Sequence, residues 1–228
     1  MKKKLVFGFA WALILLGIVL IFGEQYIFTL FDKQPAQLST KTIAKNEKLV
    51  TNYDWQSVKT LSASTIIKAR TSGNDLKYVG LIIVPDIGLK LPILNGTTNE
   101  NLAIGAGTMF ANQKMGQGNY SLASHFVRGS SNKQMLFSPI YYKGRVGQRI
   151  YVTNLKRVYV YKTDVYKTVK STAVDVVRPV PDKTMLTLIT CNYTHDRGRV
   201  MMQGNLETSY KWENASKSIK AQFNSMIR

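Results

Sequence analysis

The only cysteine of the chain has the surroundings needed for thiolate chemistry. Cys191 ends an apolar, strand-like run, residues 185–191, and a short polar turn follows it. The thiolate is the nucleophile, so a reactive cysteine needs a base, or an imidazolium, beside it. A lone cysteine in an apolar strand is more often a small buried hydrophobe. Its position at the end of the run, between Thr190 and Asn192, favours the reactive interpretation.

Both histidines are candidates for the partner of this thiol. His195 follows Cys191 by four residues in a polar turn, where a solvated loop residue is the commoner outcome. His125 ends the strand-like residues 119–125, so it could meet Cys191 at one end of a barrel. Separation along the chain does not prevent contact in the fold. We therefore predict that His125 is the partner.

Two arginines could stabilise an anion near the cysteine. Arg199 opens a predicted strand and would be held more firmly than Arg197, which stands beside Gly198 in the turn. A rigid guanidinium can hydrogen-bond the oxyanion of a tetrahedral intermediate or orient a substrate carbonyl. A surface position is the commoner fate of either arginine. The sequence shows no Ser/His/Asp arrangement, phosphate-cradling glycine loop or EF-hand spacing.

The elements that must position these side chains are mostly short strands. Many short strands with few long helices predict an all-β barrel or sandwich. One or two short helices are expected within residues 48–70, with Ser57 and Ser62 as possible caps. The predicted strands are residues 78–84, 89–94, 120–126, 149–152, 157–166, 174–180, 185–191 and 199–206.

The N-terminus has the composition of a membrane anchor. Three lysines precede residues 5–23, an uncharged and strongly apolar run. As a helix this run would span roughly 28 Å, close to the hydrocarbon thickness of a bilayer. The lysines predict a cytoplasmic N-terminus and an extracellular remainder. A cleaved signal peptide is the alternative, but the run is long for one and lacks an Ala-x-Ala-like exit.

The sequence predicts four consecutive segments, of which the anchor is the first. Residues 1–23 are predicted to hold the cytoplasmic lysines and a transmembrane signal anchor. Residues 24–75 would form an extracellular stalk and an N-terminal helical segment, because Gln34-Pro-Ala-Gln37 breaks any long helix. Residues 76–207 would be the β-domain that carries the site. Residues 208–228 are predicted to be a polar, partly helical tail.

Charge and cysteine content exclude several classes of protein. The formal net charge of +18 falls to +15 without residues 1–23, which contain three lysines and no acid. That balance favours attraction to a polyanionic surface, although a simply solvated basic surface is as good an interpretation. Nucleic acid is disfavoured, because the basic residues are scattered and an anchor precedes them. One cysteine excludes an internal disulfide, and with two histidines it leaves too few ligands for an ordinary zinc site.

Several motifs, in the right order over about residues 76–206, resemble class A sortases, the membrane-anchored cysteine transpeptidases of Gram-positive bacteria. The family's Thr-Leu-x-Thr-Cys signature is similar to Thr187-Leu-Ile-Thr-Cys191, and its arginine eight residues further on corresponds to Arg199. The family's Ala-Gly-His appears as Ala123-Ser-His125. Further similar segments are Gly80-Leu-Ile-Ile-Val-Pro85, Leu91-Pro-Ile-Leu-Asn-Gly96 and Leu136-Phe-Ser-Pro139.

The resemblance implies a closed eight-stranded sortase-type β-barrel with short helices, in which His125, Cys191 and Arg199 converge on a groove. It implies cleavage of an LPxTG sorting signal between its Thr and Gly through a thioacyl-enzyme. The surface protein would then pass to an amine of a cell-wall precursor such as lipid II. The positions that line the groove in relatives match Ala123, Thr190, Val174 and Val176.

The chain also departs from the family pattern. Ser124 replaces the usual glycine before the histidine, which would narrow or re-polarise the groove floor. No carboxylate lies between Glu100 and Asp164, where some relatives bind calcium, so we expect no metal and no cofactor. Pilin-type sortases often carry a lid with an Asp-Pro-aromatic motif and a second, C-terminal membrane span. This chain has Asp54-Trp55 without the proline, and its C-terminus is polar. Both features favour a housekeeping anchoring role.

Three functions are compatible with these residues. In a transpeptidase, Cys191 attacks the peptide, His125 as imidazolium protonates the departing amine, and Arg199 stabilises the oxyanion. A cysteine hydrolase would use the same Cys–His pair with water as the acceptor. A basic β-domain that adheres to anionic wall polymer would need no chemistry at Cys191.

Overall fold

Eight strands close into one β-barrel, which confirms the predicted architecture. The computed structural model describes residues 4, 7–18, 23, 36–71, 76–127, 134–192 and 198–227 of the chain. The strands are β1 (Tyr78–Val84), β2 (Leu89–Leu94), β3 (Ala106–Thr108), β4 (Gly118–Ala123), β5 (Arg149–Thr153), β6 (Arg157–Val169), β7 (Thr184–Cys191) and β8 (Arg199–Lys211). Their order around the barrel is β1-β2-β3-β4-β7-β8-β6-β5, with β2–β3 and β4–β7 parallel and the other described pairs antiparallel.

Short helices accompany the barrel. Residues 7–18 are helical and expose most of their large apolar side chains. Across the described parts of the chain, no helix combines the length and the apolar character that a bilayer crossing requires. Part of the predicted anchor, residues 5–23, lies outside the described residues. We number the helices α1 (residues 7–18), α2 (Thr40–Asn46), α3 (Ala63–Thr71), α4 (Asn99–Ile104), α5 (Ser138–Lys143) and α6 (Lys217–Asn224).

β1 is buried on both of its faces. All seven of its residues are shielded from solvent, which fits its uninterrupted apolar sequence. One face contributes to the barrel interior, whereas α2 and α6 pack against the strand from outside. These helices bury Ile43 and Phe223, respectively. The N-terminal helix α2 and the C-terminal helix α6 therefore contribute side chains to the hydrophobic core.

Part of the predicted stalk is folded onto the barrel. Ala36 forms a bridge with Ile227, close to the C-terminus. The side-chain amide of Asn46, at the end of α2, donates a hydrogen bond to the Tyr78 carbonyl at 2.9 Å. Residues 36–46 of the predicted stalk and helical segment therefore pack against the barrel, because a few buried apolar positions in a polar segment are enough to dock them. Residues 24–35 and 72–75 lie outside the described residues.

The predicted helix within residues 48–70 is confirmed as α3. Its cap is Ser62, whose hydroxyl accepts a hydrogen bond from the Thr65 N–H at 3.2 Å. Ser57 caps no helix and instead ends a 3₁₀ turn, Trp55–Ser57, whose cap is Asp54.

The largest differences from the predicted strands are at β3 and at residues 174–180. β3 was not predicted, because a three-residue strand flanked by glycine has almost no periodicity of its own. Residues 174–180 were predicted to be a strand, but Val174–Val177 forms a 3₁₀ turn. Val174, Val176 and Val177 favour β-structure locally, yet Pro179 and Pro181 lack the N–H donors that a ladder needs. β8 also continues to Lys211, four residues beyond the expected end of the barrel at residue 207.

Candidate active site

The β7–β8 hairpin holds the cysteine and the arginine together. Cys191 is the last residue of β7, Arg199 is the first of β8, and the two are partners in the antiparallel ladder. The Asn192 N–H donates to the Gly198 carbonyl at 2.9 Å and extends that pairing by one step. Cys191 is a half-buried free thiol. His195 and Arg197, the alternative candidates, lie outside the described residues.

The parallel pairing of β4 with β7 brings in the histidine. Ala123 at the end of β4 pairs with Ile189, two residues before Cys191. The Thr190 hydroxyl donates a hydrogen bond to the Ser124 carbonyl at 2.8 Å, which joins the two segments beyond the end of the β4–β7 ladder. His125 follows directly, and its carbonyl accepts the Phe137 N–H at 3.0 Å. The backbone on both sides of the histidine is therefore fixed relative to the cysteine.

The three side chains share one cleft with a volume of about 160 Å³. Four of the five groove residues expected from the family resemblance also line it, and Val176 does not. Val177, the next residue, lines the cleft instead and is buried. The predicted residues that line the cleft are His125, Cys191, Arg199, Ala123, Ser124, Thr190 and Val174.

Burial keeps the histidine neutral. Only 8% of the His125 surface is exposed. Removal from water disfavours the charged ring and lowers the pKa of His125 from 6.5 to about 4. The resting side chain is thus an imidazole at neutral pH, able to accept a proton.

The hydroxyl of Ser124 forms a hydrogen bond to the backbone of the barrel wall. It donates to the Gly105 carbonyl at 2.7 Å in a buried environment. An added Cβ at Gly105 would lie 2.5 Å from the Pro92 carbonyl oxygen, so the backbone passes very close here. The serine therefore satisfies a buried acceptor, in addition to lining the cleft.

Three residues of β4 and β8 dock the 3₁₀ turn that carries Val174 and Val177. The Ser121 hydroxyl donates to the Val177 carbonyl at 2.6 Å. The Asn119 amide donates to the Val176 and Arg178 carbonyls at 3.1 Å, and the Gln203 amide reaches the Val176 carbonyl at 3.4 Å. These bonds satisfy backbone acceptors that a strand would have paired, and they hold the turn against the cleft.

Another wall of the cleft was missed from the sequence. Residues 52–60, here called the strap, contribute Trp55, Val58, Lys59 and Thr60 to the lining. The strap is fixed at both ends: the Asn52 carbonyl accepts the Thr97 N–H at 2.9 Å, and the Lys59 N–H donates to Asn99 Oδ1 at 2.7 Å. The Asp54-Trp55 pair is the one sequence signal for this wall, and without the proline of the lid motif it is a weak one.

Gly96 allows the strap to lie this close. Its φ of +90° is in the left-handed region, where glycine is favoured. A Cβ there would lie 2.5 Å from the Asn52 carbonyl oxygen. Other cleft residues that the sequence did not single out are Leu102, Met109, Lys170, Ser171, Ala173 and Ile189.

The described residues around the cleft include no candidate metal centre. Within the described residues, no group of three or more His, Cys, Asp or Glu side chains could hold an ion. The cleft instead combines a thiol, a neutral imidazole and a guanidinium. These groups could supply a nucleophile, a proton carrier and an oxyanion donor for acyl transfer.

The fold and the site thus define a class: a closed β-barrel whose cleft brings together a thiol, an imidazole and a guanidinium. A model of the sortase domain matches residues 82–207, more than half of the chain. The chain belongs to the sortase family, whose members are cysteine transpeptidases.

Relatives extend the likeness over most of the sequence. Sortase A of Streptococcus agalactiae serotype III is 37% identical over 236 residues, covering 97% of this chain and 95% of the relative. Sortase A of Listeria monocytogenes serovar 1/2a is 35% identical over 206 residues, covering 85% and 90%. A solved structure of Listeria monocytogenes sortase A shares 37% identity at a TM-score of 0.57, covering 64% of this chain and 96% of the other.

Proposed function

We propose that the chain is a class A sortase that anchors surface proteins. It cleaves an LPxTG-type sorting signal between Thr and Gly and transfers the new C-terminus to a cell-wall precursor amine. The observation that carries this proposal is the single cleft shared by Cys191, His125 and Arg199. The relatives named Sortase A support the class. The peptide and the acceptor follow from the family resemblance.

Acylation starts with a proton transfer from Cys191 to His125. The neutral imidazole accepts the thiol proton while the sulfur attacks the carbonyl carbon of the threonine. The C–S bond forms, and the guanidinium of Arg199 stabilises the oxyanion that develops. When the oxyanion collapses, the C–N bond breaks and the imidazolium gives its proton to the departing glycine amine. A thioester of the threonine remains on Cys191.

Deacylation reverses these steps with a new amine. The acceptor nitrogen attacks the thioester carbonyl while His125 takes its proton. Arg199 again stabilises the oxyanion. The C–S bond then breaks, and His125 returns the proton to the sulfur. The free thiol is regenerated with no external base or cofactor, so we propose that none is required.

The proposed setting follows the same family. Residues 1–23 would hold the cytoplasmic lysines and a single membrane span through residues 5–23, with the barrel outside the cell. LPxTG-bearing surface proteins would be the donors and lipid II or peptidoglycan the acceptor. The basic composition of the chain suits an envelope rich in anionic polymers.

Mass spectrometry of the full-length chain in nonionic detergent tests this function. The chain is incubated with a sorting-signal peptide without an acceptor, and an acyl adduct on Cys191 is expected. Adding a glycine-based amine should convert the adduct into an amide product. Cys191→Ala should give neither the adduct nor the product.

Two other outcomes would identify the alternatives. Hydrolysis alone at every amine concentration would indicate a cysteine hydrolase. A chain that never acylates, and whose wall binding is intact in Cys191→Ala, would be a non-enzymatic wall-binding domain.

A further inference from the structure

Three cationic side chains from separate elements line the cleft. Lys59 comes from the strap, Lys170 from the turn that follows β6, and Arg199 from the start of β8. No Asp or Glu is among the lining residues in the described part of the chain. The mechanism above uses Arg199 only, so the two lysines have no role in it.

Three described carboxylates of the strap, of α4 and of the turn after β6 are engaged elsewhere. Asp175 pairs with Arg178 at 3.3 Å, and Glu100 pairs with Lys68 at 2.6 Å. Asp54 caps the 3₁₀ turn of the strap by accepting a backbone N–H. None of the ion pairs in the described chain includes Lys59 or Lys170. The charge of the lysines is therefore not neutralised by these acids.

The backbone at each lysine is anchored. The Lys59 N–H donates to Asn99 Oδ1 at 2.7 Å, and the Lys170 carbonyl accepts the Ala173 N–H at 3.0 Å. Both side chains are exposed, so their ammonium groups can reach a ligand without first leaving a buried partner. Charges of one sign around a concave site raise the local concentration of oppositely charged ligands.

We propose that this cleft selects acyl-donor peptides with an acidic side chain one residue away from the scissile Thr–Gly bond, at the variable position or directly after the glycine, and disfavours basic ones. The inference rests on the proposed function, because it names the substrate class of the same site. Lys59 and Lys170 act as specificity determinants and take no part in the chemistry.

A peptide series tests the selection. Sorting-signal peptides differ only in carrying Glu, Gln or Lys, either at the variable position of LPxTG or directly after its glycine. The full-length chain in nonionic detergent is assayed for kcat/KM with a saturating amine. At one position at least, Glu should exceed Lys by roughly three- to thirtyfold, with Gln between them. The ratio should shrink as salt rises, because exposed charges are screened over about 10 Å at 0.1 M ionic strength.

Charge-reversal variants assign the effect to the two lysines. Lys59→Glu combined with Lys170→Glu should abolish or invert the Glu-to-Lys ratio, while the Gln peptide changes much less. The matched control is Lys41→Glu combined with Lys217→Glu, since these exposed residues lie on α2 and α6, which do not line the cleft. The control carries the same change in net charge and should keep the wild-type ratio.

Three results would overturn the proposal: equal kcat/KM for all peptides, an unchanged ratio in the cleft variant, or an equal change in the control. Each can occur while Cys191 still forms its thioester, so the inference can fail and leave the proposed function intact. Absence of any acyl adduct would instead remove the proposed function and this inference with it.

Discussion

Cys191 and Arg199 face each other across the β7–β8 ladder. Residues directly opposite in an antiparallel pair have Cβ atoms about 4.5–5.5 Å apart and project to the same face of the sheet. Arg199 Nη1 also donates to the Gly198 carbonyl at 3.1 Å, so the side chain is held near the hairpin. The ladder, rather than the loop that joins the strands, sets the spacing of sulfur and guanidinium.

Removing this guanidinium should slow the chemical step. Arg199→Ala is expected to lower kcat by roughly 10²- to 10³-fold, because one oxyanion donor is lost. Arg199→Lys should recover only part of the rate, since it keeps the charge but loses the planar fork. Steady-state kinetics with a sorting peptide separate kcat from KM. Arg149→Ala, which removes an exposed pair with Glu207, is the control and should stay near the wild-type rate. A rise in KM alone would assign Arg199 to ground-state binding.

Acid should destabilise the protein through His125. Its pKa is 6.5 in the unfolded chain and about 4 in the fold, so between these values the unfolded state binds the extra proton. The free energy of unfolding should therefore fall as the pH drops from 6.5 to 4, by about 3 kcal/mol from this group. Denaturant unfolding across this range should show that slope in the wild type and lose it in His125→Gln. Parallel curves for both proteins would contradict the neutral, buried imidazole.

Ser124 should contribute to stability through its bond to Gly105. Ser124→Gly restores the residue usual in the family but leaves the Gly105 carbonyl without its buried donor. We expect a loss of about 1–3 kcal/mol in the free energy of unfolding. Ser124→Ala separates the lost bond from the added backbone freedom of glycine, which costs about 0.5–1 kcal/mol in regular structure. Urea unfolding of the three proteins measures both terms, and equal midpoints would show that the hydroxyl is dispensable.

Calcium should leave the reaction rate unchanged. The described residues contain no cluster of three potential ligands, and oxygen-rich sites are what Ca²⁺ requires. Transpeptidation rates with added calcium and with a chelator should agree within about twofold. A larger activation by calcium would contradict this prediction, and alanine substitution of Asp196, which lies outside the described residues, would test whether that carboxylate is a ligand.

The local parts of the site could be predicted from the sequence. Cys191 and Arg199 belong to one hairpin, and its two apolar strands fix their ends within a short stretch of chain. His125 required a further step, since only the parallel pairing of β4 with β7 brings it near. Its position at the end of a predicted strand already favoured it as the partner of Cys191, and the family motif Ala123-Ser-His125 agreed with that choice.

The remaining parts depend on tertiary contacts. The strap lines the cleft because Asn52 and Lys59 bond to residues beyond β2, and their own sequence does not encode that arrangement. Residues 174–180 have strand propensity but no partner strand, and side chains from β4 and β8 impose the turn. Local strand propensity was overridden there by hydrogen bonds to side chains 56 to 59 residues earlier, in β4, and 27 residues later, in β8.

The bond between Thr190 and Ser124 joins residues 66 positions apart. Contacts of such long range form late, after the entropy of closing a large loop has been overcome. An unfolded polypeptide therefore carries the Cys191 sulfur apart from the His125 ring, and the two come together only when β4 pairs with β7.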